Sequence, residues 1–402
     1  MSEYKKLKRK CPICGSSGKG GGNILHRVAM NLSDEFPIPG EYDVVSCLDC
    51  GFTFADVDAC QADYNQYYAT DNMYSEYSGI RDKLTEANNK IRLEVFTKYV
   101  SRESRVLDIG CGGGDFLTAL SDNGYTDLTG IDPSEISVKR IESELGFKAV
   151  VGNIFDEAPE NLKNIFDVVC CTMVGEHVYD LANFVRHLKQ YAKKDGGMIF
   201  IDVPCVEGFG MYIRNSAHYF NHEHINYFSL QSLDCLFANQ ECRRISDDKE
   251  SRKVLDFALP ELIIEAVYVR DEGYKQSYEK DCVSETAIKQ YVSLIEKSEI
   301  QKINDIRSFI AEKEDGVVVW GAGSYCMNIL EKIGDMKEKV LYFVDNNRTK
   351  QGKKIAGKDI VSPDKLKDHG GKVRILILAI QQADDIAKEI DKMGIVCEVM
   401  KG

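Results

Sequence analysis

Residues Arg105-Val-Leu-Asp-Ile109 form a short apolar run that leads directly into Gly110-Cys-Gly-Gly-Gly114, and the pattern Asp115-Phe-Leu-Thr-Ala-Leu120 follows. An apolar run, a glycine cluster and a helical pattern in this order predict a strand, a tight turn and a helix. Glycines in the turn allow the backbone to approach a ligand closely. The glycine pattern alone is weak evidence, because dinucleotide-binding folds carry a similar one.

Further strand-like segments follow the glycine loop. Residues 128–131 end at Asp132, whose carboxylate can accept both hydroxyls of a ribose, and residues 148–151 lead into Gly152-Asn153-Ile154. Residues 166–171 and 198–202 complete the series. Strands that alternate with helices predict an α/β fold with a mainly parallel sheet.

From about residue 81 to residue 269, the sequence closely resembles class I S-adenosylmethionine methyltransferases, whose motifs read V-L-D-I-G-C-G-x-G, F-D-V-V and G-G-x-I. The resemblance implies that S-adenosylmethionine is the cofactor. It places Gly110, Gly112 and Gly114 under the methionine portion, has Asp108 orient the amino group, and gives the ribose hydroxyls to Asp132.

The same resemblance places Asn153 and Ile154 beside the adenine, although family members often have aspartate where Asn153 stands. An E-H pair commonly follows the fourth strand in this family, near the sulfur of the cofactor. For Glu176-His177 we therefore favour a role in the cofactor pocket or in structure over a catalytic one.

The composition indicates a folded chain without extended nucleic-acid contacts. The 402 residues are 44% hydrophobic and 29% charged, which predicts two or three folded domains. The net charge of -13 has the wrong sign for a protein that neutralises many phosphates. We interpret the basic run from Lys5 to Lys10 as a solvated tail.

No apolar signal segment and no stretch of about 20 apolar residues is apparent, so we expect no membrane partner. Several of the fourteen cysteines lie in strand-like runs such as Val168-Val-Cys-Cys171. This placement is typical of reduced thiols and predicts a cytoplasmic protein.

Four cysteines form two C-x-x-C turns, each followed by glycine. They are Cys11-Pro-Ile-Cys14 and Cys47-Leu-Asp-Cys50. Two such turns supply a tetrahedral S₄ shell, and four thiolates leave no open position on the metal. We therefore predict a structural Zn²⁺ ion, while a redox dithiol or unrelated cysteines are the alternatives.

A candidate lid occupies residues 205–228 and ends in Asn221-His-Glu-His224-Ile-Asn-Tyr-Phe228. Two imidazoles around a carboxylate suit general-base chemistry, because histidine titrates near neutral pH. A metal site is the weaker interpretation, since no other clear ligand lies nearby in the sequence to join His222 and His224. A packing role is the remaining alternative.

Over nearly its full length the chain resembles C-methyltransferases that act on nucleotide-linked deoxy-keto-hexoses. The resemblance rests on the four cysteines, a link rich in tyrosine (64, 67, 68, 74 and 77), an E-H-x-x-Y-F segment and a C-terminal Rossmann-like domain. It implies that His224, with Glu223 beside it, removes a proton alpha to a ketone, and that Tyr68 and Tyr227 contact the substrate. A tyrosine usual in the family is replaced by Asn221.

The C-terminal region opens with a predicted helix over residues 284–314, followed by Val317-Val-Val-Trp-Gly321-Ala-Gly323-Ser324. A second predicted strand, residues 340–344, ends at Asp345, where a dinucleotide fold places its ribose acid. Cys326 stands in place of the third glycine. We expect Gly321, Gly323 and Ser324 to bind the nucleotide part of a sugar substrate, with a purely structural domain as the alternative.

The sequence thus predicts an α/β protein of three parts: a zinc-binding module (1–70), a methyltransferase domain (71–283) and a Rossmann-like domain (284–402). The favoured function is C-methylation of a nucleotide-linked keto-deoxysugar. The alternatives are an O- or N-methyltransferase for another carbohydrate or glycan precursor, and a zinc-ribbon binding module with a vestigial methyltransferase core.

Overall fold

The structure is a computed structural model that describes residues 3–16, 21–30, 32, 37–70, 83–211, 216–255, 260–277, 279–312, 316–369, 373–379, 382–395 and 397–402. Tyr74 and Tyr77 of the tyrosine-rich link, and residues 212–215 of the candidate lid, lie outside these ranges. Among the described residues, no helix is both long and apolar enough to cross a bilayer.

The strands alternate with helices through most of the chain. In order they are β1 (Glu3–Lys5), β2 (Gly22–Ala29), β3 (Glu41–Cys47), β4 (Thr53–Asp56), β5 (Arg105–Ile109), β6 (Asp127–Asp132), β7 (Lys148–Val151), β8 (Val168–Thr172), β9 (Met198–Pro204), β10 (Asn226–Tyr227), β11 (Cys242–Arg244), β12 (Arg252–Leu255), β13 (Glu261–Arg270), β14 (Val317–Trp320), β15 (Val340–Val344), β16 (Lys354–Ile355), β17 (Lys358–Val361), β18 (Arg374–Ile377) and β19 (Glu398–Lys401).

The α-helices are α1 (Gln61–Thr70), α2 (Lys83–Tyr99), α3 (Asp115–Asp122), α4 (Glu135–Arg140), α5 (Leu181–Tyr191), α6 (Ser216–Tyr219), α7 (Leu230–Ala238), α8 (Asp248–Ser251), α9 (Val283–Ala311), α10 (Ser324–Ile333) and α11 (Ala383–Lys392). A π-helical turn, Ile141–Leu145, continues α4. Short 3₁₀ turns span Glu160–Leu162, Gly175–His177, Val206–Gly208, Gly334–Lys339 and Pro363–His369.

Described residues group into two compact units, with boundaries inside β2, β3 and α9. The first contains Met1–Leu25, Val44–Tyr212 and Glu223–Tyr291, and the second contains His26–Asp43, Ile213–His222 and Val292–Gly402. The four cysteines of the expected zinc module therefore belong to the same unit as the glycine loop.

The first unit is built on a sheet with the strand order β11-β13-β9-β8-β5-β6-β7, and β12 pairs with β13. Strands β5 to β9 run parallel, whereas β13 runs antiparallel to β9. The central strands are apolar on both faces, as expected for a parallel sheet covered by helices. This arrangement confirms the α/β class I methyltransferase core that the motifs predict.

Helix α7, which follows the candidate lid, begins at a well-formed cap. The Ser229 side chain accepts a hydrogen bond from Ser232 N at 3.0 Å, and the Ser232 hydroxyl lies 3.0 Å from Ser229 N. This reciprocal pair satisfies two backbone donors at the helix start. It fixes the point where the chain leaves the Glu223–Tyr227 segment.

A second sheet of this unit has the order β1-β2-β3-β4-β10, and the far ends of β2 and β3 belong to the segment His26–Asp43 of the second unit. Asn226 and Tyr227 of β10 pair antiparallel with Phe54 and Thr53 of β4. The N-terminal strands therefore carry the end of the E-H-x-x-Y-F segment.

The interpretation of residues 5–10 as a solvated tail is wrong for Arg9. Its side chain is 1% exposed, and its guanidinium donates to Ile225 O at 3.1 Å, Val178 O at 3.2 Å and Asn226 Oδ1 at 3.0 Å. Burial lowers the pKa of Arg9. A run of charged residues in the sequence does not show which of them will be buried against backbone carbonyls. Here Arg9 connects the N-terminal segment with residue 178 and with residues 225–226.

The second unit contains a sheet with the order β16-β17-β15-β14-β18-β19. Strands β14, β15, β17, β18 and β19 are parallel, and β16 is antiparallel to β17. The predicted helix over residues 284–314 and the predicted strands at 317 and 340 are present as α9, β14 and β15.

Candidate functional site

The glycine loop lies between β5 and α3, at the carboxyl edge of the parallel strands, where open α/β sheets bind ligands. Gly110, Gly112 and Gly114 have φ angles of 74°, 50° and 82°, a region that favours glycine. A Cβ at Gly114 would meet Leu145 at 2.8 Å, whereas a Cβ at Gly112 would meet nothing within 4 Å. Gly114 therefore serves close packing, and Gly112 faces open space that a ligand can enter.

Asp132 ties the end of β6 to this loop. Its Oδ2 accepts a hydrogen bond from Gly112 N and its Oδ1 accepts one from Ser134 N, both at 2.9 Å. Each carboxylate oxygen can accept a second bond, so ribose hydroxyls can still be bound. Burial raises the pKa of Asp132, and the two backbone donors oppose that shift.

Asp108, on β5, is suited to hold a cation. The side chain is 1% exposed, and its Oδ1 has no hydrogen-bond partner in the described part of the chain. Burial raises the pKa of Asp108 to about 7, against the opposing charge of Arg92. A buried carboxylate with an unused acceptor next to a glycine loop fits the amino group of S-adenosylmethionine.

The two residues expected at the adenine follow β7. Asn153 forms a turn, in which its Oδ1 accepts from Phe155 N at 3.0 Å and its own N–H donates to Asp156 Oδ2 at 2.9 Å. Ile154 is partly buried and packs on the main core. Gly152 N donates to Asp132 O at 3.1 Å, which places this turn beside Asp132.

Glu176 and His177 lie in the 3₁₀ turn after β8. The residue before this turn, Val174, lies beside the glycine loop, because a Cβ at Gly110 would stand 3.0 Å from the Val174 side chain. His177 Nε2 lies 3.6 Å from Glu176 Oε1. Burial raises the pKa of Glu176 well above its ordinary value.

His224, near the end of the candidate lid, lies beside the same 3₁₀ turn. Ile225 N donates to Glu176 O at 2.8 Å, and the His224 ring packs edge-on against His177 with 4.8 Å between centroids. The sequence indicated no further ligand near His222 and His224. The structure brings Glu176 and His177 next to His224, a juxtaposition that long sequence separation hid.

Tyrosines of α1 complete this cluster. The Tyr67 hydroxyl donates to Glu223 Oε1 at 2.5 Å, and the Tyr68 hydroxyl lies 3.1 Å from His177 Nδ1. Tyr68 therefore lies at the candidate site. Tyr227 is 1% exposed and packs edge-on against Phe209, which places its ring in the interior of the unit.

A buried ion pair supports the turn that carries Glu176, and sequence reasoning missed it. Arg92 Nε donates to Asp202 Oδ2 at 2.7 Å, and Asp202 Oδ1 accepts from Met173 N at 2.5 Å. Met173 has a φ of 53°, unusual for a residue with a side chain. The available sequence signal was Asp202, an acidic residue at the end of the otherwise apolar run 198–202.

The four cysteines meet at one point. Cys11 Sγ lies 3.5 Å from Cys50 Sγ, and Cys14 Sγ lies 3.7 Å from Cys47 Sγ. Sulfurs at a tetrahedral zinc, each about 2.3 Å from the ion, stand about 3.8 Å apart. The donor set and its spacing therefore fit Zn²⁺.

Gly51, after the second cysteine turn, has a φ of 82°, and a Cβ there would lie 2.0 Å from Asp281 O. Gly15, after the first turn, has a φ of 69°. Both turns thus depend on glycine, as their sequence pattern predicts.

In the second unit, Gly321 and Gly323 precede α10, which begins at Ser324. A Cβ at Gly321 would lie 2.9 Å from Leu378 O, whereas one at Gly323 would meet nothing within 4 Å. Asp345 accepts from Ala322 N and Asn347 N, both at 2.9 Å.

His222 is buried and belongs to the segment Ile213–His222 that groups with the second unit. His224, two residues later, belongs to the first unit.

Comparison with known families assigns two parts of the chain. Residues 80–246 match a family described as methyltransferase domain, and residues 313–398 match one described as C2185-like, N-terminal. The first match covers the glycine loop, Asp132 and the Glu176–His224 cluster.

Curated relatives match part of the chain. The ubiquinone biosynthesis O-methyltransferase of Neisseria meningitidis serogroup C is 29% identical in an alignment of 154 residues that covers 34% of this chain and 63% of that protein. The enzyme of the same name from Stutzerimonas stutzeri is 35% identical in an alignment of 121 residues that covers 28% of this chain and 50% of that protein. This chain thus covers between 41% and 63% of the length of such relatives.

Among solved structures, the 1,6-didemethyltoxoflavin-N1-methyltransferase of Burkholderia thailandensis aligns with 16% identity and a TM-score of 0.40, covering 56% of this chain and 98% of that one. The family match and the strand order of the sheet, taken together, identify residues 80–246 as an S-adenosylmethionine-dependent methyltransferase domain with the class I fold.

Proposed function

We propose that this chain transfers the methyl group of S-adenosylmethionine to a small-molecule acceptor, and that Glu223 and His224 assist loss of the acceptor's proton. One observation carries the proposal: His177 lies in the turn that follows Val174, the residue beside Gly110 of the glycine loop, and the His224 ring packs against His177. Titratable side chains thus stand beside the segment expected to hold the methyl donor.

The acceptor class that we favour is a nucleotide-linked keto-deoxysugar, methylated on the carbon alpha to its ketone. A sulfonium methyl needs no activation, whereas an alpha proton leaves slowly without a positioned base. The E-H-x-x-Y-F segment at Glu223–Phe228 supports this choice. Tyr67, bonded to Glu223, and Tyr68, bonded to His177, add hydroxyls where a polar acceptor would bind.

A second candidate is O-methylation of another small molecule. The names of the matched relatives, ubiquinone biosynthesis O-methyltransferases, favour it. A hydroxyl acceptor also loses a proton, so the same cluster would assist, but no enolate forms. The two candidates differ in the atom that carries the new methyl group.

We propose that the second unit holds the nucleotide of the substrate at Gly321, Gly323 and Ser324. The hydrogen bonds of Asp345 to Ala322 N and Asn347 N repeat those of Asp132 to Gly112 N and Ser134 N. This likeness supports a nucleotide ligand at both loops. The net charge of -13 argues against nucleic acid as the ligand.

A structural Zn²⁺ ion is proposed for Cys11, Cys14, Cys47 and Cys50. Four thiolates close the tetrahedral shell, so the ion would stabilise the fold and take no part in methyl transfer.

Incubation with methyl-labelled S-adenosylmethionine and a panel of nucleotide keto-sugars and phenols tests the proposal. Label on the carbon beside the ketone supports the favoured class, and label on oxygen supports the second candidate. If no acceptor of either class is labelled while the protein binds the methyl donor, the proposed acceptor class is wrong.

A further inference from the structure

Glu176 carries a buried carboxyl group in the 3₁₀ turn after β8. Its side chain is 1% exposed, and neither oxygen has a hydrogen-bond partner in the part of the chain that the structure describes. A buried carboxylate in this state needs either a proton or a cation. A cationic candidate beside this carboxyl group is the His177 imidazole, whose Nε2 lies at 3.6 Å from Glu176 Oε1, beyond hydrogen-bond distance.

Two imidazole groups stand beside this carboxylate. One ligand atom from each of Glu176, His177 and His224 lies within 4.8 Å of the others. Nitrogen and oxygen ligands that are about 2.0–2.2 Å from a metal ion stand about 3–4 Å apart. Small side-chain movements would therefore bring the three atoms to one ion.

Tyr68 holds His177 in the orientation that metal binding needs. The Tyr68 hydroxyl is 3.1 Å from Nδ1, on the side of the ring opposite the nitrogen that faces Glu176. When Nδ1 carries the proton and donates it to the tyrosine oxygen, Nε2 presents its lone pair toward the carboxylate. Metal-bound histidines commonly have such a partner on their second nitrogen.

We propose that Glu176, His177 and His224 bind one divalent first-row metal ion, with open positions toward the methyl acceptor. Two histidines and one carboxylate are a known ligand set for such ions and leave room for a substrate oxygen. The inference goes beyond the proposed function and rests on a separate observation, the burial of Glu176.

A bound ion would also refine the role of His224. A metal-bound imidazole has no lone pair for a proton, so His224 would position the ion in the loaded protein. The ion would lower the pKa of an acceptor oxygen bound to it, or polarise an acceptor ketone. Both effects serve either candidate acceptor class.

The test is a titration of the full-length, zinc-loaded protein with Mn²⁺, followed by the electron paramagnetic resonance signal of free Mn²⁺. Mn²⁺ prefers nitrogen and oxygen ligands, which keeps it away from the four cysteines. We expect one bound Mn²⁺ per chain. Glu176→Gln and His224→Asn should each weaken binding by more than about 100-fold, and Tyr68→Phe by roughly 10–100-fold.

Glu265→Gln is the matched control. Glu265 is also 1% exposed and has an Oε2 without a hydrogen-bond partner among described residues, but it is not a member of the cluster. Its variant should bind Mn²⁺ as the unmodified protein does. Circular dichroism and thermal unfolding, measured on every variant, report whether the domain is folded.

No binding up to millimolar Mn²⁺, or unchanged binding in a folded Glu176→Gln variant, would overturn the inference. Methyl transfer by a protein that binds no Mn²⁺ would contradict the metal site and leave the proposed methyl transfer unaffected. Stoichiometric Mn²⁺ binding that depends on Glu176 supports the site even if the acceptor class proposed above is wrong.

Discussion

The Asp132 carboxylate accepts a hydrogen bond from Gly112 N at 2.9 Å, so the end of β6 and the glycine loop of the methyltransferase domain are directly joined. Asp345 repeats the contact with Ala322 N at the same distance in the second unit. In the first unit an aspartate at the end of β6 thus holds the loop after β5. In the second unit an aspartate directly after β15 holds the loop after β14 in the same way.

Removal of the Asp132 side chain should weaken S-adenosylmethionine binding. Two hydrogen bonds to a charged acceptor, at about 1.5–3 kcal/mol each, correspond to a loss of at least about 100-fold in affinity. Calorimetry on Asp132→Ala measures it. Asp345→Ala is the matched control, because it removes the equivalent acid of the other unit and should leave this affinity unchanged; equal affinities in the two variants would exclude Asp132 from the cofactor site.

Cofactor affinity should rise with pH through about 7 because of Asp108. Burial raises the pKa of Asp108 to about 7, so the carboxyl is mostly neutral below that pH and cannot pair with the amino group of the cofactor. At pH 6 the ionised fraction is about one tenth, which predicts roughly tenfold weaker binding than at pH 8. Calorimetry at both pH values, repeated on Asp108→Asn, decides: a pH dependence that persists in the variant arises from another group.

Stability of the ligand-free protein should change with pH in the opposite sense. The pKa of Asp108 is raised on folding, so folding favours its neutral form, and this contribution is lost as pH rises from about 4 through about 7. Thermal unfolding of Asp108→Asn should therefore show a smaller decrease in stability over that range than the unmodified protein does. An identical decrease in both proteins would contradict the assignment.

Four cysteines should hold one zinc ion per chain. Metal analysis of the purified protein should give one equivalent, and the double variant Cys47→Ser, Cys50→Ser should lose it. Cys60→Ser with Cys282→Ser is the matched control, since both residues are exposed cysteines outside the cluster. Retention of the zinc in the first double variant would rule out the site.

A side chain at Gly323 should block nucleotide binding without harming the fold. A Cβ at this position meets nothing within 4 Å, so Gly323→Val should be tolerated and should project into the space proposed for the nucleotide. We expect weaker affinity for nucleotide sugars and an unchanged affinity for S-adenosylmethionine. Unchanged affinity for both ligands would leave the second unit with a structural role.

The sequence predicted local elements well because their signals are local. The run 105–114 predicts β5 and the glycine loop, and residues 340–344 predict β15. The cysteine cluster also follows from spacing, since each turn and its glycine are contiguous. The parallel sheet follows from the alternation of strands and helices.

Contacts between distant segments could not be predicted in the same way. Arg9 reaches carbonyls of residues 178 and 225, and Tyr68 reaches His177. Neither pair leaves a periodic pattern, because the partners meet only after the sheet has formed. The cluster of Glu176, His177 and His224 was missed for this reason, although each residue was noticed separately.

His224 should be essential for turnover but not for binding the methyl donor. Loss of a group that removes or helps to remove a proton typically costs about 10²–10⁴ in rate. His224→Ala should show that loss in labelled-methyl transfer, with S-adenosylmethionine affinity nearly unchanged, and Glu223→Gln should show a smaller loss. A normal rate in His224→Ala would make this histidine a packing residue.

We expect Glu223 and His224 to assist removal of the proton alpha to the ketone of a keto-sugar before carbon methylation. The most direct measurement is exchange of the alpha proton with solvent deuterium, followed by nuclear magnetic resonance, in the presence of an inert analogue of the methyl donor. We expect exchange that depends on His224, and a methyl group on the same carbon when S-adenosylmethionine is supplied. Methyl transfer to oxygen with no exchange would contradict it.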